Sequence, residues 1–212
     1  RVPNPILRSL AIYVALLSAG PALASCPPFG FKNATLDKVR AGTFESRNGE
    51  FEFQLPFARQ RVTYGSFGHK CFYAINIDSL VSDGHRSIEW VYLDQAQTDE
   101  AFLAYWEGFL DDYLAKNFGS GGYTRVAMAP HRMADGRQAI RYVGSGTNNG
   151  GKPGAIRGVA MVYGQRMANV YSITQAPVSV PTGADAFDDP EVRSVEAMAN
   201  SLVCDVPRCR RP

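Results

Sequence analysis

Between Thr98 and Gly119 the chain carries the pattern of one long amphipathic helix, and its apolar side is too broad to be left in water. Phe102, Trp106, Phe109, Leu110 and Tyr113 recur at three- and four-residue spacing, which puts them on one face of a 3.6-residue helix. Thr98 supplies a cap, Asp99 and Glu100 complement the positive end of the helix dipole, and Gly119 suits the stop. At about 1.5–3 kcal/mol for each buried side chain, that face is a main source of stability. It needs a sheet to cover.

The strand-like segments provide one. Thr124 to Ala129, Arg137 to Val143, Ala155 to Tyr163 and Met167 to Thr174 follow the helix, separated by Gly136, the 144–154 loop and Gly164-Gln165. Connections that short join antiparallel neighbours. Upstream, Gly42 to Ser46 and Glu50 to Leu55 flank Arg47-Asn48-Gly49, a hairpin signal because asparagine and glycine tolerate positive φ. Phe51, Phe53 and Leu55 alternate with Glu52 and Gln54, so one face is buried and the other wet. Cys71 to Ile77 and Ser87 to Leu93 are further strands, rich in aromatic and β-branched residues. A last helix begins at Asp189-Pro190, with Val192, Val195, Met198, Ala199 and Leu202 as its buried stripe. The expectation is a single α+β domain: a mostly antiparallel sheet flanked by a long central helix and a C-terminal helix.

The first 24 residues read as an export signal. Arg1 and Arg8 are positive, Leu10 to Leu17 is a short apolar run, and Gly20-Pro21 precedes the small-x-small site Ala22-Leu23-Ala24. The run is too short for a bilayer core of about 30 Å, so no transmembrane segment is expected. The expected organisation is a signal peptide over 1–24, an irregular lead-in over 25–41, the α+β domain over 42–204 and a basic tail over 205–212 containing Arg208, Arg210 and Arg211. Setting aside Arg1 and Arg8 leaves 20 basic against 20 acidic residues. A neutral chain has no long-range field to gather nucleic acid, which is excluded as a partner.

Cys26, Cys71, Cys204 and Cys209 are the four cysteines. An even number in an exported chain favours two disulfides, with three connectivities open. Cys26 has a second reading, since Leu23-Ala24-Ser25-Cys26 also fits a bacterial lipobox in which the cysteine is lipidated. Soluble export, periplasmic or extracellular, is the preferred expectation over an outer-membrane lipoprotein, because lipidation would leave an odd thiol.

In element order the chain resembles the Mog1/PsbP-like α/β/α sandwich family. The matching features are the hairpin into Phe51-Glu52-Phe53-Gln54-Leu55-Pro56, the helix Asp99 to Phe118, the four-strand run Thr124 to Thr174 and the closing helix Pro190 to Val203. Many members carry glycine-tryptophan soon after the proline, where this chain reads Pro56-Phe57-Ala58-Arg59. The resemblance implies a non-enzymatic accessory domain that docks to other proteins, here another envelope protein or component.

Catalytic motifs fail on inspection. Residues 146–152 satisfy the G-x-x-x-x-G-K part of a phosphate-binding loop, but Pro153 lacks the hydroxyl that magnesium needs, and a strand follows where a helix must. His69 and Cys71 share one strand face, yet a cysteine that forms a disulfide is no nucleophile. A zinc site would have to recruit His85 and His131 without any ligand spacing to support it. Asp111-Asp112 reads as a wet helix face and Asp189 as a cap. Asn33-Ala34-Thr35 is a glycosylation sequon that matters only in a eukaryote. Tyr92, Tyr105 and Tyr123 are candidates to line a groove, with core packing as the plainer role. No catalytic, metal or cofactor residue is assigned and no cofactor is expected. The reading is an exported non-catalytic binding domain. The alternatives are an envelope hydrolase, with a site assembled near His69, His85 or His131, and a lipid-anchored assembly factor.

Overall fold

A computed structural model describes residues 39–40, 42–46, 49–66, 72–93, 95–117, 122–147, 151–174, 180–204 and 209. In chain order the elements are β1 (Val39–Arg40), β2 (Thr43–Glu45), β3 (Phe51–Gln54), β4 (Gln60–Ser66), β5 (Phe72–Ser79), β6 (His85–Tyr92), α1 (Asp99–Asn117), β7 (Tyr123–Arg132), β8 (Gln138–Thr147), β9 (Pro153–Tyr163), β10 (Arg166–Thr174), a 3-10 turn (Gly183–Asp188), α2 (Pro190–Asn200) and β11 (Val203–Cys204). Seven strands form one sheet in the order β4-β5-β6-β10-β9-β8-β7, and every pairing in it is antiparallel. A small sheet, β1-β2-β3-β11, is a separate ribbon. The α+β class read from the sequence is what the chain adopts.

The layers follow from side-chain parity. Ala74, Val91, Ile140, Ile156, Ala160 and Val162 of the large sheet share one buried cluster with Phe102, Trp106, Phe109, Leu110 and Tyr113 of α1. Ile75, Ile77, Ile88, Trp90 and Val159 face the other way and pack with the small sheet and α2. All five residues of the anticipated helical stripe are buried. Thr98 caps α1, its hydroxyl accepting from the Ala101 amide at 3.2 Å. Gly119, the anticipated stop, lies outside the described residues. Asp189 caps α2 through the Glu191 amide at 2.8 Å.

Three features differ from the sequence reading. β4 has no clean alternation and carries Gly65, so no local pattern marks its seven residues as a strand, yet it pairs with β5 along its whole length. The closing helix ends at Asn200 rather than Val203, and Val203–Cys204 adds to β3 as a short strand. Glu50, read as the start of a wet-faced strand, is buried instead. Its carboxylate receives the Arg166 guanidinium and the Tyr92 hydroxyl.

Candidate functional site at the β5–β6 hairpin

The turn joining β5 to β6 spans Leu80 to Gly84, and serine hydroxyls hold its shape. Ser79 Oγ accepts from the amides of Val81 at 3.2 Å and Ser82 at 3.1 Å, and the Ser82 hydroxyl donates to it at 2.9 Å. The Ser79 amide closes the turn on the Gly84 carbonyl at 2.9 Å, and the Leu80 amide donates to the Arg59 carbonyl at 2.9 Å. Gly84 packs beside the Phe57 ring: a Cβ there would stand 2.8 Å from it and the ring would have to shift. This fixed turn holds Leu80 and Val81 out at 56% and 67% exposure, two neighbours among the four large apolar residues exposed within the described residues.

Directly behind the turn lies a seam of polar side chains on the α1 side of the sheet. Asp78 Oδ1 is 2.7 Å from His85 Nδ1, and His85 Nε2 is 2.9 Å from Ser87 Oγ. Ser87 Oγ is 2.8 Å from Asn76 Oδ1. Deeper, the Glu89 carboxylate takes hydrogen bonds from the Tyr113 hydroxyl at 2.9 Å, the Asn169 amide at 3.1 Å and the Tyr171 hydroxyl at 3.4 Å. Tyr142 donates to Asn169 Oδ1 at 2.9 Å. Alternate residues on β5, β6 and β10 place these groups on one face, because strand side chains alternate. Burial, reinforced by the Glu89 charge, raises the Tyr142 and Tyr171 hydroxyls above the ordinary tyrosine value. Burial alone would raise Asp78, but the hydrogen bonds from His85 and Arg61 outweigh it and hold that carboxyl below its usual value.

Asp78, His85 and Ser87 therefore stand in the order of a hydrolytic triad, and no spacing rule in the sequence reveals it, because β-pairing brings Asp78 opposite His85. The chemistry such a triad needs is missing around Ser87. Its residue is 1% exposed, and it lies on a strand flanked on both sides, opposite Asn76 of β5 and Tyr171 of β10. Its single proton is also shared among acceptors. With neutral His85, Nδ1–H donates to Asp78 and Nε2 accepts from Ser87. The contacts form one continuous chain from Asp78 through His85 and Ser87 to Asn76.

The other sequence candidates are dispersed. His131 lies on β7 with Nδ1 3.8 Å from Glu196 of α2, on the opposite face from His85 and four strand positions away, about 19 Å at the usual strand spacing. Asp111 and Asp112 are exposed and paired with Arg125 and Lys116. Of the 146–153 segment, Gly146 and Thr147 end β8 and Pro153 opens β9, with Thr147 opposite Pro153. Tyr92 and Tyr123 are buried and Tyr105 is exposed on α1, so the three tyrosines line no common groove. Cys204 and Cys209 form a disulfide, Cα to Cα 5.9 Å. Cys26, Asn33, His69, Cys71 and the arginines 208, 210 and 211 lie outside the described residues. Among the described residues, no helix is long and apolar enough to cross a membrane.

No protein-family model matches the chain, and no curated protein matches it in sequence. Similar solved structures include a crystal structure from Bacteroides thetaiotaomicron VPI-5482, at 8% identity and a TM-score of 0.51, covering 78% of this chain and 49% of that one. The chain thus spans about half the length of the Bacteroides protein. They also include the solution structure of cyanobacterial PsbP (CyanoP) from Synechocystis sp. PCC 6803, at 11% identity and a TM-score of 0.46, covering 81% of this chain and 98% of that one. At 8% identity the likeness to the Bacteroides structure is one of fold alone.

Proposed function

We propose that the chain is an exported accessory domain that binds another protein or component of the cell envelope and performs no chemistry of its own. The observation that carries this is the β5–β6 turn, which presents Leu80 and Val81 to solvent on a backbone already fixed by Ser79 and Ser82. Adjacent exposed aliphatics on a rigid support suit docking, since little conformational entropy is lost on contact. Export is supported by the leader-like 1–24 segment and by the Cys204–Cys209 disulfide, which belongs to an oxidising compartment. The test is recovery of cross-linked partners from an envelope fraction with the wild type and with Leu80→Ser/Val81→Ser. The double variant should lose the partner; unchanged recovery would sink the reading. Intact mass of the exported product separates a soluble chain starting at Ser25 from one lipidated at Cys26.

A second reading, an envelope hydrolase, has the Asp78–His85–Ser87 alignment in its favour. A fluorophosphonate probe decides it. Labelling of Ser87 that His85→Ala abolishes would establish a nucleophile, and an unlabelled serine leaves the seam structural.

A further inference from the structure

Two local devices bring Glu50 against the C-terminal disulfide. Its amide and that of Phe51 donate to the Ser46 hydroxyl at 3.0 and 3.1 Å, which fixes the turn before β3. β11 then pairs with β3 in a register that sets Cys204 opposite Phe51, one residue from Glu50. In consequence a Glu50 carboxylate oxygen and the sulfurs of Cys204 and Cys209 all lie within 4.8 Å of one another. A neutral disulfide has no N–H or O–H to offer that carboxylate. Two thiolates and a carboxylate, by contrast, are a ligand set.

Distance and chemistry both suit a metal ion once the disulfide is open. Zinc bonds thiolate sulfur at about 2.3 Å and carboxylate oxygen at about 2.0–2.2 Å in tetrahedral geometry. Two sulfurs on one such ion stand about 3.8 Å apart, so each ligand atom needs to move by about an ångström. Arg166 and the Tyr92 hydroxyl bind the Glu50 oxygens, the kind of outer support that orients a ligating carboxylate. Charge selects the ion. Glu50, Arg166 and Cys209 are buried, and buried charge must be compensated. The two thiolates and Glu50 would carry three negative charges against the one positive charge of Arg166, and a dication makes the sum zero. A soft monovalent ion would strand a negative charge. Three protein ligands leave the fourth position to water.

We infer that Glu50, Cys204 and Cys209 form a redox-gated site for a thiophilic divalent cation of the zinc type. A dithiol reductant opens it: its thiolate attacks the disulfide, the Cys204–Cys209 S–S bond breaks, and an S–S bond forms within the reductant. Two electrons and two protons pass to the cysteines, and the arriving ion displaces both thiol protons to solvent. Reoxidation expels the ion. The site is independent of the docking reading, so failure of either leaves the other standing.

The probe is cobalt(II) alone, a coloured stand-in for zinc, titrated anaerobically into the phosphine-reduced protein. One ion should bind per chain with a sulfur-to-cobalt charge-transfer band, and zinc should displace it. The oxidised protein should show no band. Cys204→Ser with Cys209→Ser should abolish it, and Glu50→Gln, shown folded by its melting curve, should bind at least tenfold more weakly. Zinc-edge X-ray absorption of the reduced wild type needs no variant and should count two sulfurs beside two lighter ligands. A shell of four sulfurs would overturn the proposal, because Cys26 and Cys71 would then complete the site. So would a band that survives loss of Cys204 and Cys209, unaltered affinity in Glu50→Gln, or no binding by the reduced protein.

Discussion

Glu89 is the residue on which the α1 face of the sheet is organised. A carboxylate this deeply buried is tolerated only when its oxygens are satisfied, and Tyr113, Asn169 and Tyr171 do so from α1 and β10. The same burial keeps tyrosines neutral. Tyr92, Tyr142, Tyr163 and Tyr171 all have hydroxyls raised above the ordinary value of about 10 by burial. Their contribution to stability is complete below pH 10 and is lost above it, because the unfolded chain then releases protons the folded one retains. Absorbance at 295 nm should show these four ionising together with loss of the near-ultraviolet dichroism. Separate, gradual ionisation before unfolding would contradict it. Asp78 behaves in the opposite sense. Its lowered value stabilises the fold above about pH 4 and is lost as the pH falls through that lowered value. The stability difference between wild type and Asp78→Asn, measured by urea unfolding, should therefore shrink steadily from pH 5 to pH 2.5. Side-chain pairings of this kind could not be read from the sequence: Glu89 meets residues 24, 80 and 82 positions away.

At the scale of elements, α1 was almost wholly legible, because its cap, its acidic first turn and its apolar spacing are local. What lets it sit close to the sheet is less visible. A Cβ at Gly144 would stand 2.9 Å from Ile156 and 3.1 Å from Leu114, and one at Gly158 would stand 2.2 Å from the Tyr142 ring. Tyr142 is buried beneath α1 and has nowhere to go. Gly158→Ala should therefore cost about 1–3 kcal/mol as an overpacking change, and Trp106→Ala about 3–5 kcal/mol as a cavity. Denaturant titration checks both, and a neutral Gly158→Ala would mean the ring relaxes freely. α2 is held differently. Arg157 binds its capping Asp189 through two nitrogens, and Arg86 reaches Glu191 and Ser194. The cap was legible in Asp189-Pro190; the two buried arginines beneath it were not, since their partners on α2 lie far along the chain.

For the whole molecule the decisive junction is between the two sheets. Phe51 stacks on Trp90 with ring centroids 4.5 Å apart, and Glu50 pairs with Arg166, whose guanidinium lies 3.9 Å from the centre of the Tyr92 ring. Removing one partner of a buried pair strands the other charge, so Arg166→Met should cost about 3–5 kcal/mol. A loss below 1 kcal/mol, read by thermal unfolding, would show the pair to be dispensable. The Cys204–Cys209 disulfide closes a loop only 5 residues apart in sequence. Its chain-entropy contribution is correspondingly small, about 2 kcal/mol, and the paired serine variant should remain folded.

The sequence by itself determined the α+β class, the helical faces, most of the strands and the helix caps, because each is encoded by periodicity or chemistry within a dozen residues. Only the tertiary structure decided the order of strands in the large sheet. It also decided which of three cysteine pairings formed at the C-terminus, and that Asp78, His85 and Ser87 would meet. Those outcomes depend on contacts between segments far apart in the chain, and no local pattern carries the geometry that brings such segments together.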